Sequence, residues 1–210
     1  MAPSSPVTPP AGGTPMDRYD YGLPPEAIAQ EPAEPRSAAR LLVGPGVSGP
    51  GLPDRPTMAD LPRLLGPGDV LVVNDTTVLA ARLALAKTTG GRAEVLLLEP
   101  EPGGTGRWEA LVRPGRRLPP GTPLVEAGPD GAPAGEPVVV VEGPAPDPSA
   151  GTRWVRLLDP EAVGRAGSLP LPPYIRRRLA DPARYQTVYS GKRALEDRSA
   201  AAPTAGLHFT

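Results

Sequence analysis

Residues 69–89 contain neither glycine nor proline, whereas residues 44–56 and 127–151 are crowded with both. That contrast limits what the chain can fold into. With 25 glycines and 33 prolines in 210 residues, it cannot run long helices or central strands through most of its length. Order must come in islands joined by loose connections. Only 4% of the residues are aromatic, so aliphatic side chains have to build the core.

The main island spans residues 69–158. It reads as a series of short strands: "VLVV", "VLAARL", "AEVLLLE", "RWEALVR", "TPLVE", "EPVVVVE" and "TRWVRLL". Turn residues separate most of them, and this spacing predicts a small antiparallel barrel or sandwich. "WEALVR" alternates, with Trp108, Ala110 and Val112 on one face and Glu109, Leu111 and Arg113 on the other.

The flanks differ. Residues 1–15 carry no charge and five prolines and are expected to be disordered. Pro24 and Pro25 suit the start of a helix through "EAIAQ", and "ARLLV" suits a strand. "MADLPRLL" suggests a short proline-interrupted helix, "DPEAVG" a helical turn, and "LPLPPYIRRRL" a short helix after Pro172 and Pro173. "YQTVY" looks strand-like. Cysteine is absent, which excludes disulfides and thiolate metal centres within these residues. The longest apolar runs are a few residues, far short of the ~18 of a membrane helix.

Net charge is -1, so no global basic field draws in nucleic acid. Yet residues 167–198 hold seven Lys/Arg against three Asp/Glu, while residues 1–35 hold one Arg against five Asp/Glu. The basic stretch interleaves arginine with tyrosine, as surfaces that meet phosphate and stack unpaired bases do; a solvated basic face fits the same composition. The polar cluster Asn74, Asp75, Thr76 and Thr77 joins two expected strands. It is either a capped turn or a ligand site at strand ends. Gly44, Gly46 and Gly49 match a dinucleotide fingerprint, but Pro50, Gly51 and Pro53 follow and no helix can open there; a loop is expected. "AKTTGG" lacks the earlier glycine of a phosphate loop. His208 is the only imidazole, hence the only side chain whose unperturbed pKa lies near neutrality. Its residue type alone leaves packing and chemistry both open.

Several stretches in order carry a resemblance: "YDYGLPPEAIAQEP" with "PR" and "ARLLV", "LGPGDVLVVNDT", "EVLLLE", "WEALVRPGRRLPPGT", "GSLPLPPYI", "RYQTVY" and "AAPTAGLHFT". Together they resemble the S-adenosylmethionine:tRNA ribosyltransferase-isomerases of queuosine biosynthesis, the QueA family. In that family a substantial segment follows the histidine motif, so the resemblance implies an N-terminal piece of a longer enzyme. The chain departs from the pattern at Thr77, where the family usually has Arg, at Ala80, where it has Pro, and at Ala84, where it has Gly. Loss of that arginine removes a fixed cationic fork.

The resemblance implies a mixed α+β fold: a discontinuous α/β domain, its C-terminal part missing, with an inserted antiparallel β-barrel domain. The implied boundaries are a tail over 1–15, α/β residues 16–68 and 159–210, and a barrel over 69–158. It implies transfer of the ribosyl part of S-adenosylmethionine to an aminomethyl-deazaguanine wobble base, giving epoxyqueuosine. S-adenosylmethionine is then a consumed co-substrate, with no separate cofactor and no metal. The partner is a tRNA anticodon stem-loop, and the setting a cytosolic monomer with no membrane. The chemistry needs an acid–base group working near neutral pH. On the matching motifs, the implied catalytic residues are His208 and Asp75. The implied substrate-binding residues are Asn74, Thr76, Arg82, Gln186 and Thr204, and the implied tRNA-binding residues are Tyr174, Arg176, Arg177 and Tyr185. Asn74, Asp75, Arg176, Tyr185 and His208 are expected to share one cleft between the domains, and the chain alone to be nearly inactive. A non-catalytic RNA-binding piece, or a family member with another acceptor, are the alternatives.

Overall fold

Trp108, Ala110 and Val112 all point inward, as their alternation predicts, and the strand that carries them is part of a closed ring. The computed structural model describes residues 19–47, 49–145, 151–177, 179–191 and 194–210. The expected disorder over residues 1–15 lies outside them. Six strands close the ring: β1 (Arg82–Lys87), β2 (Arg92–Pro100), β3 (Arg107–Arg113), β4 (Pro123–Ala127), β5 (Pro133–Pro144) and β6 (Arg153–Leu157). Their order is β2-β3-β6-β5-β4-β1, and β1 pairs back onto β2. All these pairings are antiparallel. A short helix α1 (Ala162–Ala166) follows, and the two-residue β7 (Gly167–Ser168) adds to β1.

Local chemistry explains the closure. Between β1 and β2 the chain reverses at Gly90 and Gly91, with φ of 91° and 96°, a region that side chains rarely tolerate. Register shifts at Leu97/Glu99, Leu124/Glu126 and Val141/Gly143 are bulges, which bend strands so that a small sheet can curl shut. Inside, Leu83, Leu85, Val95, Leu97, Leu124, Val139, Val141 and Val155 form one aliphatic core around the buried indole of Trp108. The result is a mixed α+β chain: a closed antiparallel barrel flanked by segments that, among the described residues, are short helical turns and isolated bridges.

Several expected elements do not form. Val70–Val73 is not a strand, and its side chains are exposed, Val72 by 88%. β2 takes one edge of β1 and β4 with β7 the other, which leaves no edge of β1 for the run to join. The strand expected from Val78 starts at Arg82. "ARLLV" contributes one bridge, Arg40 to Thr57, and "YQTVY" runs through a helical turn and a bend. The helix expected at "EAIAQ" shrinks to Pro25–Ala27, because Ile28 is already extended. Pro172–Ile175 closes a tight turn instead of opening a helix. Met58–Leu64 is a 3-10 helix with Pro62 inside, secured by a capping box between Thr57 and Asp60. The glycines at 44–51 open no helix.

An ionic network crosses the outside of the ring. The Arg107 guanidinium lies 4.7 Å from the Trp154 ring and pairs with Glu142 at 2.7 Å, which also accepts from Arg156 at 2.6 Å. Burial works to raise the Glu142 carboxyl, but hydrogen bonds and charge from Arg156 and Arg107 outweigh it and hold the group below its ordinary 4.5. A depressed carboxyl stabilises the fold above its unfolded value and loses that contribution as pH falls through the folded value. Glu142→Gln should therefore flatten the drop in melting temperature below pH 4.5. An acid limb identical to that of the parent chain would contradict this.

Candidate functional site

A cavity of about 810 Å3 lies entirely in the flanking segments. Its walls come from residues 29–39, 171–185 and 204–208, and no residue of the barrel strands lines it. Side-chain-to-backbone bonds stitch the walls together. The Gln30 amide donates to the Tyr174 carbonyl at 3.0 Å and accepts from the Arg176 N–H at 2.8 Å. Arg184 donates to the Ala33 carbonyl at 2.7 Å and pairs with Glu34 at 3.0 Å. Proline sets the local shapes. Pro182 opens the 3-10 turn Pro182–Tyr185, whose Asp181 cap accepts from the Ala183 N–H at 2.9 Å. Pro203 precedes the turn Thr204–His208, after which Phe209 leaves the helical region and meets the Tyr189 ring edge-on, centroids 6.0 Å apart.

The lining is mostly apolar chain with a few polar tips: Tyr174, Tyr185, Arg177, Thr204 and His208 among them. Burial, and then the neighbouring Tyr174, push the Tyr185 phenol above its ordinary 10.0. A tyrosine hydroxyl can donate a hydrogen bond to a ligand there. His208 is exposed at the cavity wall. Arg177 and Glu31 pair at the rim while 65% and 69% exposed, a setting in which such pairs contribute about 0–1 kcal/mol. The rim arginine is thus cheaply released to another anion. Among the described residues no group of three or more His, Asp or Glu is placed to hold a metal ion.

The residues singled out from the sequence divide. Tyr174, Arg177, Tyr185, Thr204 and His208 line the cavity. Arg176 gives its backbone N–H to Gln30, and its side chain does not line the space. Gln186, expected to bind substrate, holds its amide against Val78, just ahead of β1: its Nε2 donates to the Val78 carbonyl at 2.9 Å and its Oε1 accepts from the Val78 N–H at 2.8 Å. Arg82 likewise pairs with Glu94 across the β1–β2 ladder at 2.7 Å. Asn74, Asp75 and Thr76 lie outside the lining; Asn74 accepts from the Thr76 N–H at 2.9 Å and closes a polar turn. Thr77, where the family pattern has arginine, donates its hydroxyl to the Gly191 carbonyl. Of the five residues expected to share one cleft, Tyr185 and His208 line this one. Gln30, Arg36 and Arg184 were missed. Their signal was faint: polar residues set between prolines in "QEPAEPR" and "PARY".

The turn that carries His208 has no spare room. Gly206 is buried, and a Cβ there would run into the Tyr189 hydroxyl and sit 3.0 Å from the Thr187 Cγ2. Gly206→Ala should cost about 1–3 kcal/mol through overpacking and displace His208. A melting temperature and a His208 ring signal both unchanged would contradict that.

Comparison with known proteins gives a consistent result. A family model described as queuosine biosynthesis protein matches residues 16–210. The chain is 48% identical over 206 residues to an S-adenosylmethionine:tRNA ribosyltransferase-isomerase of Moorella thermoacetica, covering 93% of this chain and 54% of that protein. It is 49% identical over 195 residues to the enzyme of that name from Rubrobacter xylanophilus, covering 92% and 53%. A solved S-adenosylmethionine tRNA ribosyltransferase from Thermotoga maritima shares 34% identity over 71% of this chain and 48% of its own, with a TM-score of 0.31. The chain spans about half the length of the curated relatives it matches. With nearly its whole length matched by the family model and these relatives close to half identical, the chain belongs to the queuosine biosynthesis protein family.

Proposed function

We propose that this chain serves in queuosine biosynthesis as part of an S-adenosylmethionine:tRNA ribosyltransferase-isomerase. S-adenosylmethionine is the consumed ribosyl donor, and a tRNA anticodon stem-loop carrying the aminomethyl-deazaguanine wobble base is the acceptor. One observation carries the reading. Three segments far apart in sequence gather two tyrosines, three arginines, a threonine and the only imidazole around one cavity. Tyrosine faces stack an unpaired base, and a rim arginine takes a phosphate. His208 moves a proton, since an imidazole can both accept and donate one, and the departure of adenine and the removal of an acidic proton beside the sulfonium need those two acts. Thr204 hydrogen-bonds the donor. The flanking residues 16–68 and 159–210 then act as one domain into which the barrel, residues 69–158, is inserted. A cytosolic monomer fits this role, and no helix among the described residues is long and apolar enough to cross a membrane.

The test is adenine release from S-adenosylmethionine by a polypeptide in which this chain is joined to the remaining half of a relative, with and without substrate tRNA. Release that requires the tRNA supports the reading. Salt-sensitive tRNA binding with no adenine release would replace it with a plain RNA-binding role.

A further inference from the structure

Arg36 stands where the N-terminal wall of the cavity meets the turns that carry Tyr185 and His208. Its Nη1 donates to the Gln186 carbonyl at 2.6 Å and, in a longer and weaker bond, to the Leu207 carbonyl at 3.4 Å. Its Nη2 donates to the Ala183 carbonyl at 2.9 Å. Three of the five guanidinium N–H groups are thus spent on main-chain oxygens of two separate turns.

The identity of those carbonyls matters. A peptide unit is planar, so fixing its oxygen fixes both Cα atoms it joins. The Leu207 carbonyl shares its plane with the Cα of His208. The Ala183 and Gln186 carbonyls bracket Tyr185 on both sides. We propose that Arg36 is a positioning residue that sets His208 against Tyr185 across the cavity, acting through the backbone of both turns. A planar fork holds several acceptors at once; a lysine ammonium offers donors from a single point and cannot span the same set. The consequence for chemistry rests on the function proposed above, but the geometry and its test do not.

His208 is the only histidine, and Trp108 and Trp154 are the only tryptophans, so an isotope-labelled chain gives one set of imidazole signals and two indole N–H signals. Arg36→Ala is expected to shift the His208 ring signals and the amides of residues 183–187 and 204–209, leaving both barrel indoles in place. Arg36→Lys should restore the positions in part. Arg63→Ala, which removes a guanidinium bonded to the Gly51 carbonyl at 3.0 Å, should leave His208 unmoved. If Arg36→Ala does not fold, Arg36→Lys decides: shifts confined to the two turns support the proposal. Unmoved His208 signals in a folded Arg36 variant overturn it. So does an equal shift in the Arg63 variant, or indole signals that move as far as His208. Adenine release plays no part in this readout, so the proposal and the assigned function can fail separately.

Discussion

Replacing Trp108 with alanine is expected to lower stability by about 3–5 kcal/mol, the usual cost of emptying a large aromatic site in a packed core. Trp108 is 2% exposed, and β3 places it opposite Val155 on one side and Pro100 on the other. The ring around it is closed, so no strand can slide inward to fill the space without breaking a ladder. The rest of the core is valine, leucine and alanine, and none of these reaches across a void of indole size. Denaturant unfolding followed by circular dichroism would measure the loss. A change under about 1 kcal/mol, ordinary for a surface substitution, would mean that the barrel is not organised around this side chain.

In a polypeptide completed to the length of its relatives, His208→Ala is expected to reduce turnover of S-adenosylmethionine by about 10²–10⁴-fold, the range for losing a positioned acid–base group. If the two tyrosines and Arg177 hold the tRNA, as proposed, its binding should change little. His208→Gln should not rescue the rate, because an amide keeps hydrogen-bonding capacity but moves no proton near neutrality. Turnover within about tenfold of the parent would transfer the acid–base role elsewhere. Retained turnover with lost tRNA affinity would make His208 a binding group.

The barrel was legible because its cause is local. Period-two burial, turn residues between runs and two glycines at one hairpin all lie within a few residues of what they determine. Strand spacing left closure open between barrel and sandwich, and the resemblance favoured the barrel that forms; the bulges were not legible, since they depend on how paired strands meet across the ring. The flanks misled for the opposite reason. Val70–Val73 and "YQTVY" have strand composition, but strand formation needs an edge to pair with, and composition cannot say whether one is free. At the cavity, tyrosine, arginine and histidine announced themselves by residue type. Gln30, Arg36 and Arg184 act through carbonyls more than a hundred positions away, and no pattern in neighbouring residues encodes such a bond. Gln186 shows the same limit: nothing in its motif tells that its amide completes a main-chain pairing with Val78, more than a hundred positions away.

That amide also has a chemical lifetime. Gln186 faces both the N–H and the C=O of Val78, so it needs one atom that donates and one that accepts. Hydrolytic deamidation to glutamate would turn the donor into a second acceptor. It would set a carboxylate oxygen against the Val78 carbonyl and leave that carbonyl unpaired, at a cost of about 1–3 kcal/mol where the site is shielded from water. The joint between barrel and flanks would then loosen with age while every core residue stayed intact. Old preparations would lose the cavity before they lost the ring.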